Sequence, residues 1–403
     1  MTMKTQIEGF GIKDLIKSTS LPGWILLSRP VIYILFSRQR DLNEYSAVDF
    51  SAMVFIIYAF VAFFIGINSI FRSPVSFGID TLRKTPLYLF ILYSILGIIS
   101  MAWSVNPSLS GFRAFECIAM TVLIVAVIQR LFETGRLRYV ILWSLVYCTW
   151  DILWSIFRAT QWATEIGMLT EASQMMATSF FYMALYFKPR RWYNYLIIIM
   201  SVFSMSTVAY IGMGIGLISA FWEKGRTRLL AVVAAYGLFV AVVGIGPYTI
   251  LKNTIFFDKN DISIEETSGR DHLMDIAIEC VDNNPYGLGF FAAEPYVLYA
   301  KHFGAISAHN SLASAAMGLG IPGIIVLSLF FISMGVIVFS KHIPRDYRSI
   351  MIGCFCVAFV HCIGNPSVGT RVFGAWMPCM YIFVLICGMY VYDKYFEPIE
   401  KEE

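Results

Sequence analysis

The chain has 403 residues, of which 58% are hydrophobic and only 14% charged, with a formal net charge of +3. Soluble proteins carry about 25% charged residues, so a soluble globular class is excluded. Nothing in so weak a net charge calls for a nucleic-acid partner.

Met1–Ser20 is polar and lacks the apolar stretch of a secretory signal. The segment 22–36 is short for a span and contains Arg29 and Pro30. It reads either as a twelfth span or as an interfacial piece. Apolar runs near the ~20 residues that cross a bilayer then recur. They lie near 49–71, 86–103, 113–129, 139–157, 169–187, 192–208, 209–222, 229–246, 312–340, 347–363 and 372–392. Backbone groups in lipid must satisfy one another within a segment, so these runs are helices. The ~10-residue alternating segments of a membrane barrel are absent. The expected fold is all-α: a polytopic helical membrane protein with about 11–12 spans in one membrane domain, 1–403, and a large external loop, 247–308.

Charge orients the spans. Arg130/Arg136/Arg138, Lys188-Pro189-Arg190-Arg191, Lys224/Arg226/Arg228 and Lys341/Arg345/Arg348 lie in short loops on one side. The loop at 72–85, with Arg72, Arg83 and Lys84, joins them. The positive-inside rule makes that side cytoplasmic. The loop 247–308 is rich in Asp and Glu and falls outside. Seven of the eight cysteines lie within predicted spans, and Cys280 is alone in the external loop. No disulfide framework or metal-ligand spacing follows, and no cofactor is expected. Gly212-x-Gly214-x-Gly216 lies in a span without the strand of a dinucleotide motif. It reads as close helix packing.

The external loop holds the chemistry. Leu273, Ile276, Ala277 and Cys280 have helical spacing over Asp271–Val281. Asn284-Pro285 stops that helix and Tyr286-Gly287-Leu288-Gly289 turns. Arg270 opens the helix and offers a guanidinium fork suited to phosphate. Its bland reading is a solvated pair with Asp271 or Glu266. His309, beside Asn310 at the head of span 312–340, titrates near neutral pH and suits a general base. Its bland reading is an interfacial or capping histidine. Arg113, Arg158 and Arg371 lie at external ends of spans, where they either bind an anionic substrate or snorkel. Glu116 and Asp151 fall within spans, where charge is costly and tends to be paired or functional. Glu116 is one turn from Arg113.

The order of these features resembles the O-antigen ligase and O-antigen polymerase superfamily, including exopolysaccharide polymerases. Trp103-Ser104-Val105-Asn106-Pro107-Ser108-Leu109-Ser110 is similar to its W-S-x-x-P-x-x-S run. Ser268-Gly269-Arg270 opens the large loop as in that family. Asn284-Pro285-x-Gly287-x-Gly289 is similar to its P-x-G-x-G turn. His309-Asn310-Ser311-Leu312 with Gly318, Gly320, Pro322 and Gly323 is similar to its H-N-x-x-L…G-x-x-G run. The family often has Ser-Arg-Thr between the two spans before the loop. Here that stretch reads Ser204-Met205-Ser206-Thr207, and Arg158, Arg113 and Arg371 are the candidates to replace the missing cation.

The resemblance implies a glycosyltransferase in the bacterial inner membrane, with its site facing the periplasm. The donor would be a glycan on undecaprenyl pyrophosphate. The acceptor would be a sugar hydroxyl on another lipid-linked repeat (polymerase) or on lipid A–core (ligase). Other polysaccharide assembly proteins are implied as partners. His309 and Arg270 would be catalytic. Arg158, Arg113, Arg371 and Asn310 would bind substrate. The competing reading from another class is a lipid or glycan transporter, which predicts broken helices and charges at membrane depth. A third is a non-enzymatic membrane scaffold.

Overall fold

The computed structural model describes residues 19–36, 49–133, 140, 143–144, 146–147, 150, 270–300, 308–343, 345–364, 368–369, 372 and 376–396. The predicted spans between 151 and 246 lie outside these residues, as do the loop residues 247–269. Every regular element among the described residues is helical, and the protein is a polytopic helical membrane protein.

The helices are α1 (Leu21–Phe36), α2 (Phe50–Arg72), α3 (Phe77–Lys84), α4 (Leu87–Ile99), α5 (Pro107–Phe132), α6 (Arg270–Asn283), α7 (Ala293–Ala300), α8 (Ser311–Val338), α9 (Arg345–Gly364) and α10 (Trp376–Tyr395). Four of them, α2, α5, α8 and α10, are long and apolar enough to cross a membrane, and a fifth span forms if α3 and α4 count as one. The segment 22–36 falls in the 16-residue helix Leu21–Phe36, which buries Arg29 and Pro30 while Leu21, Trp24 and Leu35 are exposed.

Local chemistry sets the ends. Asp49 caps α2 by accepting from the Ala52 N–H at 2.8 Å. Asn106 caps α5 by accepting from Leu109 N–H at 3.3 Å, and Pro107 takes the first helical position, where no N–H is needed. The stretch 72–85, expected as a loop, contains α3. Its axis bends by 74° into α4, at Thr85-Pro86, where proline cannot continue the helical hydrogen bonding.

α5 and α10 are buried along most of their length and form the centre of the bundle. α2 and α8 face outward with Phe50, Ile57, Phe64, Phe71, Ile325, Ile332 and Val336 exposed. Large apolar side chains exposed in a row, on helices of this hydropathy, are a lipid-facing surface.

The expected span 312–340 is matched by one long apolar helix with an internal break. α8 occupies it but breaks at Gly320, whose φ of 60° and ψ of −146° are not helical. Pro322 follows, at the start of the second half, where its fixed φ suits a helix beginning. Residues 311–319 therefore form a short helix that makes up the first part of α8, before the break.

Candidate functional site

Three motifs distant in sequence meet at the Gly320 break. A helix end leaves carbonyls without intrahelical partners. Here the turn 284–289 supplies the donors. Leu288 N–H bonds to Met317 O and Gly289 N–H to Gly318 O, each at 2.9 Å, and Ile321 N–H bonds back to Pro285 O at 2.9 Å. The fit needs glycine: a Cβ on Gly320 would lie 2.0 Å from Pro285 O, and one on Gly289 would lie 2.0 Å from Ser104 Oγ. The 103–110 run closes the knot. Val105 N–H bonds to Leu288 O at 3.0 Å, Trp103 Nε1 donates to Tyr286 O at 3.1 Å, and Ser110 Oγ donates to Phe290 O at 2.8 Å.

His309 sits just before the short helix, exposed, with φ of 50°. A non-glycine residue in this region is strained by about 1–3 kcal/mol, and such strain persists only where neighbours over-determine it. The neighbours do so. Asn310 Oδ1 accepts from Leu312 N–H at 2.8 Å and Ala313 N–H at 3.2 Å, capping α8. Ala308 is buried and its N–H bonds to Glu294 Oε1 at 2.5 Å. Asn310 thus acts on His309 through the backbone it holds. Its Oδ1 is committed to the cap.

A second cluster lies within the bundle. Glu116 Oε1 accepts from Arg29 Nη2 at 3.1 Å and Oε2 accepts from Arg113 Nη1 at 2.8 Å. Arg29 is 5% exposed and Glu116 3%. Among the described residues one carboxylate faces two guanidinium groups. Both arginine Nε atoms are buried without a hydrogen-bond partner. Arg113 also lies over the Phe291 ring, 5.6 Å from its centroid. It is therefore paired inside the protein, not snorkelling. Buried charges are tolerated only when paired, so this placement is a built feature.

Val368, Gly369 and Val372 bond to residues of both neighbourhoods. Val368 N–H donates to Ser311 Oγ at 3.3 Å, Tyr93 Oη donates to Gly369 O at 2.6 Å, and Arg29 Nη2 donates to Val372 O at 2.6 Å. Ser311 is two residues from His309.

A family model described as O-antigen ligase matches residues 192–328. The match supports the likeness to the O-antigen ligase and polymerase superfamily. The matched stretch is less than half of the chain. It contains α6, α7, the 284–289 turn, His309 and the Gly320 break. No curated protein matches the chain.

Within the matched region the structure joins the turn 284–289 to the Gly320 break, and places His309 and Asn310 at the other end of the 311–319 helix. Arg113 shares Glu116 with Arg29, and Arg29 in turn donates to Val372 O. Arg270 is the first residue of α6. The predicted amphipathic face of α6 is real, since Leu273, Ile276, Ala277 and Cys280 are all buried, in one cluster with Ala308 and Met317. Arg158 and Arg371 lie outside the described residues. Among the described residues no group of three or more His, Cys, Asp or Glu is placed to hold a metal ion.

Arg29 was not a site candidate in the sequence, and Glu294 was one only as an alternative base. Arg29 was visible as a charge in an apolar segment, which by cost alone marks a paired or functional residue. Glu294 gave no such signal, because it stands in a loop already rich in carboxylates.

Proposed function

We propose that the protein is a glycosyltransferase of the O-antigen or exopolysaccharide polymerase type, acting at the outer face of the inner membrane. It transfers a glycan from undecaprenyl pyrophosphate to a sugar hydroxyl on a second lipid-linked repeat. The observation that carries the reading is the strained, exposed His309, held at the start of α8 by the Asn310 cap and the Glu294 carboxylate.

The chemistry suits the residues. The acceptor hydroxyl oxygen bonds to the anomeric carbon of the donor as the carbon–oxygen bond to pyrophosphate breaks. The hydroxyl proton passes to neutral His309, and undecaprenyl pyrophosphate leaves as an anion. A leaving group of that charge is stabilised by fixed cations. Arg270 and Arg113 supply them in this reading, with Arg158 and Arg371 as further candidates. Arg113 suits the role because one edge of its fork is already held by Glu116, which fixes the orientation of the rest.

The test is turnover of purified His309→Ala in nanodiscs with a lipid-linked repeat as sole substrate. General base catalysis contributes about 10²–10⁴-fold. The variant should lose at least that order of turnover while still binding donor. Near-normal turnover would remove His309 from the mechanism. Ladders of higher oligomers from the wild type without lipid A–core support a polymerase; product only on adding lipid A–core supports a ligase. The broken helix at Gly320 and the buried Arg29–Glu116 pair are also features that a transporter would show. Movement of lipid-linked glycan across the bilayer with no new glycosidic bond would favour that reading.

A further inference from the structure

Glu294 stands on α7, fourteen residues before Ala308 in sequence, and is 2% exposed. One oxygen of its carboxylate receives two bonds. Ala308 N–H donates to Oε1 at 2.5 Å and Ser314 Oγ donates to the same atom at 2.8 Å. Ala308 immediately precedes His309, and Ser314 lies one turn into the short helix that follows it. The carboxylate thus grips both flanks of a residue whose φ of 50° would relax if either flank were released. A buried carboxylate is a costly choice for a mere loop staple. Charge-assisted hydrogen bonds are, in return, about twice as strong as neutral ones.

We propose that Glu294 is a positioning residue for His309: its Oε1 fixes the backbone on either side and so sets the direction in which the imidazole faces the acceptor. This rests on the reading of His309 as the general base. It assigns Glu294 no contact with substrate and no proton transfer. Backbone misplacement of a catalytic group by ~1 Å can cost about 10²-fold in rate.

The experiment compares Glu294→Ala, Glu294→Gln and Ser314→Ala in nanodiscs, each alone and the first combined with His309→Ala. Glu294→Ala should lower kcat by about 10²-fold with KM nearly unchanged, because the donor and acceptor sites are intact. Glu294→Gln should recover most of that loss, since its amide oxygen still accepts both bonds. Ser314→Ala, which removes one bond gently, should show a smaller loss of the same kind. The double variant should be no slower than His309→Ala alone, as groups acting as a unit are not additive. A readout independent of turnover is the rate of carbethoxylation of His309 followed by peptide mass, which should change in Glu294→Ala and revert in Glu294→Gln. Unchanged kcat and unchanged His309 reactivity in Glu294→Ala would overturn the proposal. So would a Glu294→Gln variant as inactive as Glu294→Ala, because charge or proton transfer would then be at work. If His309→Ala itself turns over normally, the general-base reading fails, while the carbethoxylation rates still decide whether Glu294 orients the ring.

Discussion

Arg29 and Glu116 are 87 residues apart in sequence and meet at 3.1 Å inside the bundle. The contact joins α1 to α5, and through the Arg29 bond to Val372 O it also holds the segment leading to α10. Removing one partner of a buried ion pair typically costs about 3–5 kcal/mol, whereas replacing the whole set by apolar residues of similar volume is often neutral. Glu116→Ala should therefore lower the thermal stability of the purified protein sharply. The combined Arg29→Met, Glu116→Leu and Arg113→Met variant should be markedly more stable than Glu116→Ala, though inactive. Thermal unfolding in one detergent measures both, and a fully stable Glu116→Ala would show that the cluster is not needed for packing.

The Gly320 break makes a second prediction. A side chain at φ of 60° is disfavoured by about 1–2 kcal/mol, and here a Cβ would also strike Pro285 O. Gly320→Ala should release the 284–289 turn and increase its cleavage by an added protease. Gly335, later in the same helix, has its nearest neighbour to an added Cβ at 3.7 Å, so Gly335→Ala should be close to silent. Equal protease resistance in both variants would mean that the turn is held without the break.

Arg270→Lys separates a fork from a charge. If Arg270 grips the leaving pyrophosphate through two parallel bonds, lysine cannot substitute, and the lysine variant should fail nearly as badly as Arg270→Ala while inserting normally. Full turnover in Arg270→Lys would show that diffuse positive charge suffices.

Topology is open to thiol labelling. Cysteines engineered at 260–265 should react with an impermeant maleimide from outside, and those at 188–191 and 224–228 should not, because of the charge bias of the loops. Native Cys280 should stay silent in this assay. It is buried on the inner face of α6, and burial, with the Glu279 charge beside it, pushes its thiol above the ordinary range. Less thiolate is then present at neutral pH, so labelling at Cys280 should rise only as pH climbs well above that of a free cysteine. Rapid labelling of Cys280 at pH 7 would place that face of α6 in water. Labelling of 188–191 from outside would invert the topology.

The amino-acid sequence by itself determined the membrane class, the helical state and much of the element placement. Lipid leaves the backbone no partner but its own helix, so an apolar run of sufficient length reads directly as a helix, as α2, α5 and α10 show. The amphipathic face of α6 was legible too, because burial follows a 3.6-residue period in Leu273, Ile276 and Cys280. Pro285, Gly287, Gly289 and Gly320 were legible as punctuation, but not as partners. Only the tertiary structure decided that the turn caps the break, since hydrogen bonds between residues 29 to 36 positions apart leave no local pattern. The same holds for Arg29 and Glu294. Each looks alone like one charge among others, and its meaning comes from which groups the fold packs against it: for Arg29 a carboxylate at membrane depth, for Glu294 the two flanks of His309.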